Sequence, residues 1–248
     1  MTELLVDCTD AVLRLTIDAP ERLNAVDTPL VDALAEALLD HPDVRAAVLS
    51  GSGRAFSSGA KISATPNEGF LDAATRLVGA MTSARYPVVA AVDGPAAGFG
   101  CSIALAADLT VASQRSYFML AFVKIGLMPD GGATALVAAS VGRARAMRLA
   151  MLGEKLSAQQ AQLEGLIAMC VPDDRFTDEV EALVTALSQG PTGALGRIKT
   201  AVNHASVPTL TSSLQLEHEF QDELQKTQDY REGTSAFKAK RQPEFRGR

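Results

Sequence analysis

The chain of 248 residues has no tryptophan, three cysteines, three histidines and only 5% aromatic residues. Each scarcity removes a class of protein. Cys8, Cys101 and Cys170 are too few and too widely spaced for a disulfide framework or a zinc site, so each reads as a small residue of the core. His41, His204 and His218 fall in stretches that read as loop or helix, away from the glycine-rich segments. Without a placed histidine, a serine or cysteine hydrolase has no evident base. There is no G-x-S-x-G elbow, no full G-x-G-x-x-G and no Walker lysine after a glycine run. Positive charge is also short, 23 Lys and Arg against 29 Asp and Glu. The net charge of −6 argues against nucleic acid or an anionic membrane as the main partner. No apolar stretch runs for the ~20 residues that a membrane helix needs. Residues Met1 to Asp7 lack the basic and apolar regions of a signal peptide. The expectation is a cytoplasmic globular protein.

What is present is ordinary apolar mass: 47% hydrophobic residues, sufficient for one sizeable core. Val12 to Asp18 alternates as a strand does. Thr28 to Leu39 has helical spacing, with Thr28 as its expected N-cap and Pro29 in the first turn. Ala46 to Leu49 reads as a short strand, Leu71 to Ala84 as a helix and Pro87 to Val92 as a buried strand. This alternation predicts βαβ units with a parallel sheet. From Thr134 onward the pattern is almost wholly helical. Helices are expected at 143–152, 157–165, 178–187, 192–205 and 211–226, with one strand at 166–171. Ser157-Ala158-Gln159-Gln160 resembles a capping box.

The most telling feature is a pair of glycine-rich segments about forty residues apart. The first is Gly53-Arg54-Ala55-Phe56-Ser57-Ser58-Gly59-Ala60. The second is Gly94-Pro95-Ala96-Ala97-Gly98-Phe99-Gly100-Cys101-Ser102, which runs into Ile103-Ala104-Leu105-Ala106-Ala107-Asp108. Glycine lets backbone N–H groups approach a ligand unobstructed. Two such turns after two strands can aim two donors at one oxygen, as an oxyanion hole requires.

With Pro20-Glu21-Arg22-Leu23-Asn24-Ala25 before them and Tyr230 to Arg241 after them, these blocks resemble the crotonase superfamily, the enoyl-CoA hydratases and isomerases. The resemblance covers nearly the whole chain. It implies an α/β crotonase (ClpP/crotonase-like) fold of repeated ββα units with a helical C-terminal region. The division it suggests is an α/β core over 1–190 and a trimerisation region over 191–248. It further implies an acyl-CoA substrate, no cofactor beyond the coenzyme A that is part of that substrate, no metal, and a homotrimer or hexamer. Carried over residue by residue, the oxyanion donors are the N–H groups of Ala60 and Phe99. A Phe is a departure, since relatives usually have Gly or Ala there. Arg22, Ala60, Lys61, Ile62, Phe237 and Lys240 match positions around coenzyme A, the last two sometimes from a neighbouring subunit. Lys61 stands where many relatives have Asp, and either pairs with a phosphate or is simply solvated.

The two glutamates of the family's hydratases correspond here to Ser102 and Phe122, neither of which can act as a general base. Efficient hydration is therefore not expected. An allylic shift needs one base. The run Ala121 to Gly132 resembles the isomerase subgroup of Δ3,Δ2-enoyl-CoA isomerases and ring-epoxide CoA isomerases, which makes Asp130 the candidate. Its other reading is a turn or N-cap residue, since Pro-Asp-Gly-Gly is strong turn chemistry. Competing functions are an acyl-CoA-binding homologue without catalysis, a hydratase, or another crotonase chemistry such as thioester hydrolysis or decarboxylation.

Overall fold

The computed structural model describes residues 2–41, 43–62 and 69–248. Its framework is a six-stranded sheet with the order β1-β2-β3-β4-β6-β9. These strands are β1 (Glu3–Thr9), β2 (Val12–Asp18), β3 (Ala46–Gly51), β4 (Val88–Val92), β6 (Leu109–Ser113) and β9 (Met169–Val171). All neighbours pair in parallel except β1 with β2, an antiparallel hairpin at the edge. A second sheet joins β5 (Pro95–Ala97), β7 (Tyr117–Met119) and β8 (Leu156–Ser157).

The inner strands are apolar at successive positions because both faces of the sheet are covered. Leu13, Leu15, Ile17, Ala47, Leu49, Val88, Ala90 and Val92 enter the larger core. That core also takes residues of α1 (Thr28–Leu39), α2 (Phe70–Ser83) and α3 (Phe99–Ala106). The alternate residues Val12, Ala46, Val48, Val89 and Ala91 meet Val180 and Val184 of α6 (Phe176–Gln189) on the other face. The remaining helices are α4 (Ala133–Leu152), α5 (Ala158–Leu163), α7 (Thr192–Ser206), α8 (Leu210–Leu224) and α9 (Gln228–Lys238). Helix α7 packs on α2, α8 on α4 and α2, and α9 on the 3-10 turn Ala121–Ile125.

Helix α7 is fastened by a buried cation. Lys199 donates to the carbonyls of Met81 and Tyr86 and pairs with Asp108 at 2.8 Å, whose carboxylate also accepts from the Val88 amide. Burial pushes the Lys199 ammonium down and the Asp108 carboxyl up from their ordinary values, and each opposes the other's shift.

Three local expectations are corrected. Asp27, not Thr28, caps α1: its carboxylate accepts from the Leu30 amide, the first available donor after Pro29. Ser157 does accept from the Gln160 amide, but the Gln160 side chain turns to Glu164, so only half of a capping box forms. Cys101 is buried as expected, but Cys8 is exposed, because β1 is an edge strand lying outside the core.

Candidate active site

The two glycine segments leave the ends of β3 and β4 and pair with each other. Ser57 donates its amide to Pro95 and accepts from the Ala97 amide, at 3.1 and 2.9 Å. Val26 closes the other side, donating to the Gly59 carbonyl and accepting from the Lys61 amide. In such a ladder successive N–H groups point to opposite sides, so the Ala60 N–H faces away from Val26. Phe99 is the first residue of α3, where an amide has no intrahelical acceptor. Neither amide donates to an acceptor among the described residues.

Glycine is required by the close approach. At Gly59, where φ is +93°, a Cβ would lie 2.7 Å from the Ala97 carbonyl and 2.8 Å from the Phe99 amide. Asn24 holds the assembly from beneath. It is fully buried; its amide nitrogen donates to the carbonyls of Ser52 and Ala55, and its oxygen accepts from the Ala19 amide. The Pro20 to Ala25 block is therefore joined to the first glycine segment by one side chain.

A cavity of about 510 Å³ opens beside these turns. Ala60, Lys61, Ile62, Phe99, Phe122, Asp130 and Phe237 all line it. Arg22 and Lys240 do not; both are exposed, and Arg22 lies 3.6 Å from Glu21. Ser63, beside the Lys61-Ile62 pair, lies outside the described residues. Phe237 reaches the cavity from α9 of the same chain, as does Tyr230. The Phe99 ring is buried edge-on against Phe70 at 5.0 Å, so it forms wall. None of the three histidines lines the cavity among the described residues. His218 sits between Asp72 and Asp222, 3.7 Å from each.

Asp130 occupies a tight turn behind Phe99. Its carbonyl accepts from the Ser102 hydroxyl at 2.7 Å. The next residue, Gly131, has φ of +66°, and a Cβ there would stand 2.7 Å from the Phe99 ring. The side chain is not a cap. Helix α4 begins at Ala133 behind Gly132; the Ala133 amide donates to the Asp130 carbonyl, and the amides on either side of it are taken by Glu217 of α8. Glu217 accepts from the Gly132 amide at 2.7 Å, the Thr134 amide at 2.9 Å and the Thr134 hydroxyl at 2.5 Å. Asp130 Oδ2 accepts from Gln221 Nε2 at 2.8 Å, while Oδ1 is buried with no partner. Burial raises the carboxyl from its ordinary 3.8 to about 7; the Gln221 hydrogen bond opposes this and the Glu217 charge adds to it.

Glu217 and Gln221 escaped the sequence reading. The signal was there: they follow Leu210 and Leu214 at helical spacing, so two polar residues stand on the stripe where α8 should be apolar.

The comparisons agree with this architecture. The family model for enoyl-CoA hydratase/isomerase matches residues 7–248. A solved enoyl-CoA hydratase from Mycobacterium avium subsp. paratuberculosis K-10 superposes with a TM-score of 0.94 at 44% identity, over 98% of each chain. The 1,2-epoxyphenylacetyl-CoA isomerase of Escherichia coli K12 is 39% identical over the whole of both chains. The 2,3-dehydroadipyl-CoA hydratase of the same organism is 32% identical, again over the whole of both. The match over residues 7–248 and the overlap of the folds make this a crotonase. The chain belongs to the enoyl-CoA hydratase/isomerase family.

Proposed function

We propose that this protein is an isomerase of acyl-CoA thioesters that shifts a double bond from the Δ3 to the Δ2 position, with Asp130 as its base. The observation that carries the reading is the state of that carboxylate. Among the described residues lining the cavity it is the one acid, it keeps one oxygen unpartnered, and its pKa of about 7 suits reversible proton transfer at neutral pH. Asp130 takes a proton from C2, the amides of Ala60 and Phe99 stabilise the dienolate oxygen, and Asp130 returns the proton at C4. No water is consumed, and most of the cavity wall is apolar.

Hydration would require a second carboxylate. Ser102 is committed to the Asp130 carbonyl, and Phe122 is part of the wall. Glu217 is near but has both oxygens occupied by the start of α4. Lys61 and Phe237 line the end of the cavity proposed to take coenzyme A, which comes with the substrate. The helices of 191–248 are proposed to assemble three copies or a pair of trimers, with the exposed Ile198, Val202, Leu216 and Phe220 as apolar surface for it. The test of function is a 3-enoyl-CoA incubated with the pure protein. Conjugated 2-enoyl-CoA absorbance should appear, and Asp130→Asn should slow it by about 10²–10⁴-fold. Tight acyl-CoA binding with no conversion would turn the reading to a binding protein.

A further inference from the structure

We propose that Gln221 is a positioning residue that holds Asp130 by Oδ2 and so leaves Oδ1 as the proton-accepting atom. The inference rests on Asp130 being the base and assigns to it a partner from a distant helix.

The hydrogen bonds around Gln221 fix its amide in one orientation. Gln221 Oε1 accepts from the Met128 amide at 3.3 Å, and this turns Nε2 toward Asp130. The opposite orientation would set a carbonyl against a carboxylate and an N–H against an N–H. Gln221 is 1% exposed, so both contacts are shielded from bulk water. One helical turn earlier, Glu217 binds Gly132 and Thr134. Two side chains of α8 thus grip the 128–134 segment at residues 128, 130, 132 and 134, fixing the turn on both sides of the carboxylate.

The contact has a chemical consequence beyond position. A donor on Oδ2 favours the ionised carboxyl, while burial and the Glu217 charge favour the neutral one. The other titratable side chains nearby are His218 on α8, with Asp72 of α2 beside it, and Lys61 and Lys124 on the cavity wall. Among the described residues none of these forms a hydrogen bond to Asp130; Gln221 does.

Two variants test the assignment. Gln221→Met keeps the volume and removes the donor; Gln221→Glu keeps the hydrogen-bonding shape and adds a like charge. The Asp130 carboxyl is titrated by infrared difference spectroscopy, using Asp130→Asn to identify its band. Both variants should move the midpoint upward, by about one to two pH units in Gln221→Met, the value of a hydrogen bond to a charged group. The acid limb of the kcat/KM profile should move with it. Turnover at pH 7 should fall about 5- to 50-fold as the ionised fraction drops, with KM little changed. A midpoint that stays in place in both variants overturns the proposal, even where turnover falls, because a purely structural glutamine would give that result. The titration reads Gln221 independently of catalysis, so undiminished turnover in Asp130→Asn would remove the base and leave the hold on Oδ2 standing.

Discussion

Asp130→Asn should damage catalysis and, above neutral pH, stabilise the fold. The folded protein holds the Asp130 proton up to about pH 7, whereas the unfolded chain releases it near 3.8. Between those values the native state binds more protons, so stability falls as pH rises through the window and the full cost stands above it. A difference of about three units corresponds to roughly 4 kcal/mol at 1.36 kcal/mol per unit. Asparagine removes that cost but places an N–H₂ where Oδ1 now lacks a partner, returning about 1–3 kcal/mol. The net gain at pH 8 is then about 1–3 kcal/mol, or roughly 2–10 °C in Tm for a chain of this size. At pH 4.5 the carboxyl is neutral in the wild-type fold and the gain should vanish or reverse. Differential scanning calorimetry of both proteins at the two pH values, at one concentration, measures this directly. The turnover assay run in parallel should show the loss of activity described above. An equal Tm difference at both pH values would refute the argument, since it would mean that Asp130 titrates as an ordinary surface carboxylate.

Wild-type isomerisation should rise as pH passes through about 7 and level off above it, since only the ionised base accepts a proton. Given 2-enoyl-CoA, the protein should form negligible 3-hydroxyacyl-CoA; turnover above roughly 10 per second would contradict the commitment of Ser102 and Glu217 to structure. Gly131→Ala should lose both stability and activity, because its Cβ would press on the Phe99 ring at a left-handed φ; an unchanged Tm with full turnover would show that the turn does not depend on that glycine. Lys199→Met should lower stability by about 3–5 kcal/mol, the cost of leaving one partner of a buried pair, and by less in more acidic solution, since burial already raises the Asp108 carboxyl; chemical denaturation across a pH series is the check. Light scattering at micromolar concentration should give a trimer or larger, and a monomer would count against assembly through 191–248.

The parallel sheet was legible because its strands carry their own evidence. The run Val88–Val92 is apolar throughout, and only a strand covered on both faces needs that. Helices α1 and α2 showed their periodicity to within a residue or two. What escaped notice depends on distant partners. Strand β1 exposes nearly every side chain, so no buried pattern marks it; it exists because β2 offers an edge. The two residues of β8 are a strand only through β7. In the cavity, the glycine turns beside Ala60, Phe99 and Asp130 were visible locally, but the family resemblance is what singled these residues out; that all three line one cavity comes from the fold. Gln221 lies ninety-one residues beyond Asp130, and no local rule joins them. The polar interruption in α8 pointed to a buried polar contact but could not name the other party.

The side chain of Asn24 has a wider consequence. It bonds to backbone groups of Ala19, Ser52 and Ala55, and the glycine segment it supports pairs with the second through main-chain atoms. The amides proposed to hold the thioester oxygen therefore owe their place to main-chain pairing, to one buried asparagine and to the glycines that permit the close approach. The side chains proposed to decide the reaction come from elsewhere: Ser102 from α3, Phe122 from the 3-10 turn, Asp130 from the loop before α4. In an evolutionary sense the two functions are separable. On the proposed reading, a substitution at 102, 122 or 130 would exchange one proton-handling scheme for another while the two amides stay in place, so relatives could diverge in reaction without rebuilding the platform.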